Sequence, residues 1–197
     1  MFDFLSEPFM QYALYLGLAL GVAAALLSPF LVLSHQAMIA DGMSHISFTG
    51  IIIGLMMANE PLYFAIPFCV LASFAITFLV REGKLHNDAA IGVVSALSLA
   101  LGLIIVTMGS GFNRSIESLL IGSILTVTKV EVYSALVLVL IVVGFATFFY
   151  RPLLSITYDE EYAQFSKVKV ALLKYGLSAL TAVFVVVGVR TVGILLI

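Results

Sequence analysis

Apolar stretches of membrane-spanning length follow one another along almost the whole chain, separated by short polar breaks. The first covers about Gln11 to Leu33, with Pro29 near its end. Its Gly17 and Gly21 have small-xxx-small spacing, which favours close helix packing, with a simple lipid-facing helix as the alternative. After Ser34, His35 and Gln36 comes Ala37 to Ala58, AMIADGMSHISFTGIIIGLMMA. Asn59, Glu60 and Pro61 make a turn, and a third span covers about Leu62 to Val80. The polar loop Arg81 to Asp88 leads to a fourth, about Ala89 to Met108. Beyond the break from Gly109 to Glu117, Ser118 to Thr128 is apolar but, at about eleven residues, too short to cross and reads as re-entrant or interfacial. Val132 to Tyr150 is the next full span, Arg151 to Lys169 the longest polar stretch, and Ala171 to Val189 crosses again. The chain stops at Ile197 inside a new apolar run, TVGILLI. The pattern predicts an all-α, polytopic membrane helical bundle of about six spans plus that short helix. It forms one transmembrane domain over residues 1–197, expected to be a fragment that is incomplete at its C-terminal end.

Composition sharpens this reading. Hydrophobic residues make up 62% of the chain and charged ones 10%, against about 25% charged in a soluble domain. Lipid is then the main solvent, and no nucleic-acid partner is expected. The start, MFDFLSEPFMQ, has no basic cluster ahead of its apolar run, which argues against a cleaved signal peptide. The single cysteine, Cys69, cannot form an intrachain disulfide and reads as buried packing. Basic residues set the orientation. Arg81, Lys84, Arg151, Lys167, Lys169 and Lys174 fall on one parity of loops, and Arg114, Lys129 and Arg190 on the other. The first set is expected to be cytoplasmic, with the N-terminus outside, provided that Ser118–Thr128 does not span. If it spans, the loops before it flip.

The stretch from Ala37 to Ala58 carries Asp41 and His45, four residues apart and so on one helix face. Met38 and Thr49 extend the stripe and Ser44 flanks it. A charge at the middle of a membrane helix costs about 2.5–3.5 kcal/mol on insertion scales, which favours a function for it. The structural alternative is a buried ion pair or a packing hydrogen bond. Carboxylate with imidazole suits Zn²⁺, Mn²⁺ or Fe²⁺. Two ligands are few, but a transport site should be under-coordinated so that the ion can leave. Neutral imidazole is the ligand form, so binding competes with protons.

The loop SITYDEEYAQFSKVKV, residues 155–170, holds Glu161, Tyr162, Phe165, Val168 and Lys169 at the spacing of a short amphipathic helix, with Asp159 or Thr157 as its cap. A soluble partner could push on the bundle there, or the segment could be a solvated connector. Glu117, Glu131, His86 and Asp88 sit near span ends and read as interfacial. Methionines are common packing residues, which leaves Met38 and Met43 as weak candidates for a metal role. No HExxH, GxxxxGK[ST] or CxxC occurs, so any energy source lies on a partner chain or in an ion gradient.

At this level of detail the chain resembles the membrane permease subunits of the zinc/manganese/iron ABC importers. The likeness runs along nearly the whole chain and is strongest in FLVLSHQAMIADGMSHISFTG, residues 30–50. There Asp41, Ser44, His45 and Gly50 fall on the family's Gly-Asp-Ala-x-Ser-His motif and its following glycine. NDAAIGVVSALSLALGLIIV (87–106), SLLIGSIL (118–125), YDEEYAQFSKV (158–168) and VRTVGILLI (189–197) are similar to further family segments. The resemblance implies a permease in the plasma membrane of a bacterium, multi-pass, paired with a second copy of itself. It implies cytoplasmic ATP-binding subunits docking on Asp159, Glu161, Tyr162, Ala163, Phe165 and Val168, and an extracytoplasmic metal-binding protein. Asp41 and His45 would contact the metal, and the family would continue for roughly two more spans beyond Ile197. Departures are Ser34 and His35 where basic residues are usual, Ala40 for Gly, Gly42 for Ala, Glu160 for Pro and Lys167 for Gly.

The leading expectation is therefore the permease subunit of an ATP-driven importer of a divalent transition-metal ion, zinc first and manganese second. It is not itself an enzyme and keeps no permanently bound cofactor. The alternatives are a self-contained metal/proton antiporter, an intramembrane metalloenzyme, for which no third ligand or base is apparent, and an inert structural subunit.

Overall fold

The computed structural model describes residues 8–57, 62–83, 85–108 and 129–192. These form helices α1 (Pro8–Leu33), α2 (Ile39–Met57), α3 (Leu62–Arg81), α4 (Asn87–Met108), α5 (Lys129–Phe148), α6 (Tyr150–Tyr158), α7 (Glu160–Phe165) and α8 (Val170–Val192). Among the described residues five helices are long and apolar enough to cross a membrane, and six if α5 counts with its bent continuation α6. The all-α bundle expected from the hydropathy pattern is present. Ser118–Thr128 and Ile194–Ile197 lie outside the described residues.

The two larger of three apolar clusters hold most of the bundle together, and α8 belongs to both. Its Ala182, Val185, Val186 and Val189 pack with Ile39, Met43 and Ile46 of α2, Cys69 and Ile76 of α3, and Ile91 of α4. Its Leu173 and Leu177 pack with Leu27 and Phe30 of α1, Leu138 and Val142 of α5, and Leu153 and Ile156 of α6. Cys69 is fully buried, as expected. Large exposed side chains such as Leu18, Leu71, Leu97 and Leu140 face outward, as lipid contact requires.

Small residues decide which helix is central, but not the expected ones. A side chain at Gly17 or Gly21 would meet nothing within 4 Å, so among the described residues the close packing expected there is absent. Instead a Cβ at Gly42 would press on the Ile91 side chain, one at Gly50 would come within 2.9 Å of the Ala65 Cα, and one at Gly102 within 2.5 Å of Thr49 Oγ1. These glycines let α2 sink between α3 and α4. As a result 67% of its apolar window is buried, against 28–39% for the other spans. Thr49 Oγ1 donates to the Ser98 carbonyl at 2.7 Å and ties α2 to α4.

The turns mark one end of the bundle. α1 ends in a left-handed residue, His35 (φ 55°), with Gln36 N–H donating to Leu31 O at 2.9 Å and His35 N–H to Val32 O at 3.0 Å. This is the paired pattern of a Schellman cap. Asn87 Nδ2 donates to Ser34 O at 2.6 Å, placing the start of α4 beside that turn. Thr77 Oγ1 donates to Ser178 Oγ at 3.0 Å, placing the end of α3 beside the first half of α8. Leu16 and Leu20 of α1 cluster with Val132 and Ala135, whereas Leu27 and Phe30 cluster with Leu138 and Val142, so α1 and α5 run parallel. α4 therefore ends, and α5 begins, at the opposite end from these turns.

The polar stretch Arg151–Lys169 differs from expectation. Its first part continues α5 after a 69° bend as α6, because Leu153 and Ile156 supply a buried face. Thr157 does not cap the next helix: its Oγ1 donates to Leu153 O at 2.7 Å within α6. Asp159 is the cap, its Oδ1 accepting from Tyr162 N–H at 2.9 Å. The amphipathic helix is only six residues long, so Val168 and Lys169 lie beyond it. It ends at Lys167, left-handed at φ 58°, with Lys167 N–H donating to Gln164 O and Val168 N–H to Ala163 O.

Candidate metal site

α2 presents Asp41 in its first turn and His45 one turn on, as the i, i+4 spacing requires. Asp41 Oδ1 and His45 Nε2 are 3.8 Å apart, with 69% of the aspartate and 36% of the histidine side chain exposed. That is beyond hydrogen-bond range. One metal ion bonded to both atoms at about 2.1 Å would set them about 3.0–3.4 Å apart at octahedral or tetrahedral angles. A small rotamer adjustment closes the difference.

The rest of the stripe is spent elsewhere. Ser44 Oγ donates to Asp41 O at 2.6 Å. Thr49 is fully buried against Ser98, so it does not extend the open face, whereas Met38 is 57% exposed. Met43 is fully buried packing. Among the described residues no group of three or more His, Cys, Asp or Glu could hold a metal ion. No Lys or Arg among them pairs with Asp41 or His45. Among the described residues the pair is therefore two candidate ligands, with no cation beside the carboxylate. His86 and Asp88 are exposed at the start of α4, in keeping with an interfacial position.

The residues expected to couple to a partner come together in one segment but divide between two faces. Asp159, Glu161, Tyr162 and Phe165 are exposed, with Phe165 at 87%. Ala163 is fully buried and Val168 half-buried against the cluster around Leu153 and Leu173. Sequence reasoning missed the ion pair between Glu160 and Lys174, which has no local spacing to betray it. It also missed Gly102, although Ser98 and Gly102 carry the small-xxx-small signal that was assigned to Gly17 and Gly21.

Residues 6–197 match the ABC 3 transport family. The chain is a member of that family. It is 28% identical over 193 residues to the manganese transport system membrane protein MntC of Halalkalibacterium halodurans, covering 98% of this chain and 66% of that one. It is 30% identical over 205 residues to a probable iron transport system membrane protein of Haemophilus influenzae, covering 100% and 74%. Among solved structures, PsaBC from Streptococcus pneumoniae in complex with Fab is 26% identical, with a TM-score of 0.80 over 98% of this chain and 70% of that one. This ABC 3 chain is thus a membrane permease of an ABC-type metal importer, a transport subunit whose ATP hydrolysis lies on a separate partner.

Proposed function

We propose that this permease passes Mn²⁺, ahead of the Zn²⁺ that the sequence placed first, and that the ion pauses at Asp41 and His45. The observation that carries the site is the pair itself: a carboxylate and an imidazole 3.8 Å apart on the open side of the most enclosed helix. Manganese is supported by the name of the MntC relative and by the donor set, since carboxylate, imidazole and water suit Mn²⁺ as well as Zn²⁺. The iron named for the Haemophilus relative keeps Fe²⁺ in the test. The ion is cargo and not a resident cofactor.

The two ligands of one chain are completed by water or by a second copy facing it. The basic residues Arg81, Arg151, Lys167, Lys169 and Lys174 lie on loops or near helix ends on the side that carries α7, which supports a cytoplasmic position for that side in a bacterial plasma membrane. The exposed Tyr162 and Phe165 suit docking of a cytoplasmic ATP-binding subunit. An extracytoplasmic metal-binding protein delivers the ion at the other end. Movement of α7 rocks α8 and α2 and opens the site to alternate sides. Family membership favours this ATP-driven reading over a self-contained antiporter.

The test is uptake of Mn²⁺, Zn²⁺ and Fe²⁺ by cells expressing the permease with its ATP-binding subunit. Asp41→Asn and His45→Ala should each lower Mn²⁺ uptake by more than about tenfold, because even outer-shell changes cost metal sites that much. Membrane abundance should not change. Wild-type uptake by either variant would remove the pair from the path.

A further inference from the structure

Lys174 Nζ lies 2.5 Å from Glu160 Oε2, an ion pair between residues fourteen apart in sequence that joins α7 to α8. Lys174 is 32% and Glu160 42% exposed. Both line a cavity of about 270 Å³ with Ser34, His35, Thr77 and Ser178. Arg81 lines it too, so a second cation is within the same space.

The positions of the two partners are what give the pair a role. α7 is six residues long, and Ala163 is its one buried side chain. Among the described residues, a charged side-chain link from it to α8 is this ion pair. Glu160 is in the first turn, directly after the Asp159 cap, so it moves with the α7 backbone. Lys174 is one turn into α8. Further along α8, Ser178 accepts from Thr77 and donates to Ser73 O at 3.1 Å, pinning α8 to α3. Further still, Ala182, Val185 and Val186 pack on Ile39, Met43 and Ile46, the helix face behind Asp41 and His45. The contact at Ala163 is apolar and non-directional, whereas a charge-assisted hydrogen bond is short and fixes direction.

We infer that Glu160 and Lys174 form a positioning strut that carries displacement of α7 into α8, and through α8 into the metal-site helix. This rests on the reading that the ATP-binding subunit docks on α7. Glu160 stands where the resemblance leads one to expect proline, so the strut is a feature of this chain's own sequence.

The experiment is permease in proteoliposomes with its ATP-binding subunit and metal-binding protein, measuring Mn²⁺ uptake and ATP hydrolysis in the same vesicles. Glu160→Lys and Lys174→Glu should each lower Mn²⁺ transported per ATP by about tenfold, within the usual range of a coupling energy. The ATP-binding subunit should stay bound and active. Glu160→Gln, which keeps shape and removes charge, should fall in the same direction. The exchange Glu160→Lys with Lys174→Glu should restore the ratio to within about twofold, and Arg81→Gln should leave it unchanged. A wild-type ratio in both single variants, or a double variant no better than the singles, overturns the strut. So does an Arg81→Gln loss as large as that of Lys174→Glu, which would make general cavity charge the cause. Loss of the ATP-binding subunit from the singles also overturns it, since the pair would then serve docking. Tyr162→Ala with Phe165→Ala separates the two readings: if the subunit stays bound and coupled in that variant, the docking reading fails, and the strut with it. Failure of the charge exchange alone leaves docking intact.

Discussion

Gly102→Ala tests whether close approach at this glycine is what lets α2 sit inside the bundle. The new Cβ would lie 2.5 Å from Thr49 Oγ1, 3.2 Å from Thr49 Cβ and 3.3 Å from Thr49 Cα. Thr49 is fully buried and its hydroxyl is held on Ser98 O at 2.7 Å, so moving it away breaks that hydrogen bond. Overpacking of this kind costs about 1–3 kcal/mol. Thr49→Ala alone loses one hydrogen bond between membrane helices, about 0.6 kcal/mol on average and up to about 1.7. In the double variant the 2.5 Å clash is gone, and only contacts that relax by tenths of an ångström remain. The double variant should therefore be more stable than the sum of the singles requires, by about 1 kcal/mol or more. Cys69 supplies the assay. It is the single cysteine and is fully buried, so a thiol-reactive fluorophore reports its release on heating in detergent. For a domain of this size each kcal/mol moves Tm by about 2–4 °C. Gly102→Ala should then lower Tm by about 2–12 °C. An unchanged Tm, or singles that add to within about 0.5 kcal/mol, would refute the reasoning.

The turns around α7 give two further outcomes. Asp159→Ala removes the side-chain acceptor for Tyr162 N–H and should cost about 0.5–2 kcal/mol locally, read as faster amide exchange in α7. Lys167→Gly relieves a left-handed backbone at φ 58°, worth about 1–2 kcal/mol, against about 0.5–1 kcal/mol of lost chain rigidity, so its Tm should stay level or rise. A clear fall in Tm would mean that the lysine side chain itself holds the cap.

Long apolar runs fix span number and order because a helix must cross lipid with its backbone bonded internally. Hence α1 to α4 and α8 begin and end within a few residues of the hydropathy boundaries. Asp41 and His45 were legible because i, i+4 geometry is local. What was not legible depends on distant partners. Gly17 and Gly102 look alike in sequence, and only the neighbour across the interface separates an open glycine from one pressed on Thr49. The Arg151–Lys169 stretch hid α6 because its charge suggested a loop, while Leu153 and Ile156 found an apolar surface shared by α1, α5 and α8. Glu160 and Lys174 meet only because a short helix folds back on the start of the next span.

Asp41 could be discounted as an acidic residue at a helix start, where the dipole contributes about 0.3–1 kcal/mol. Its depth argues otherwise. The start of α2 is recessed: Ala37, just before it, and Ile39 and Ala40 of its first turn line a small cavity with Thr181, Phe184 and Val185 of α8. Those residues lie eleven to fifteen positions into α8, about 16–22 Å along it, so the first turn of its own helix is level with the middle of its neighbour. At that level a carboxylate 69% exposed would cost about 2.5–3.5 kcal/mol against hydrocarbon, more than the dipole returns. The face bearing Met38, Asp41 and His45 must meet water or protein, and a second copy would supply a matching Asp/His pair. In a Cys69→Ala background, Met38→Cys or Asp41→Cys should form a disulfide-linked dimer when native membranes are oxidised, which requires Cα atoms within about 7 Å. Leu140→Cys, 70% exposed on α5, should remain monomeric. Equal crosslinking at Leu140, or none at either α2 position, would mean that this face is not where two copies meet, and the remaining ligands would have to come from water alone.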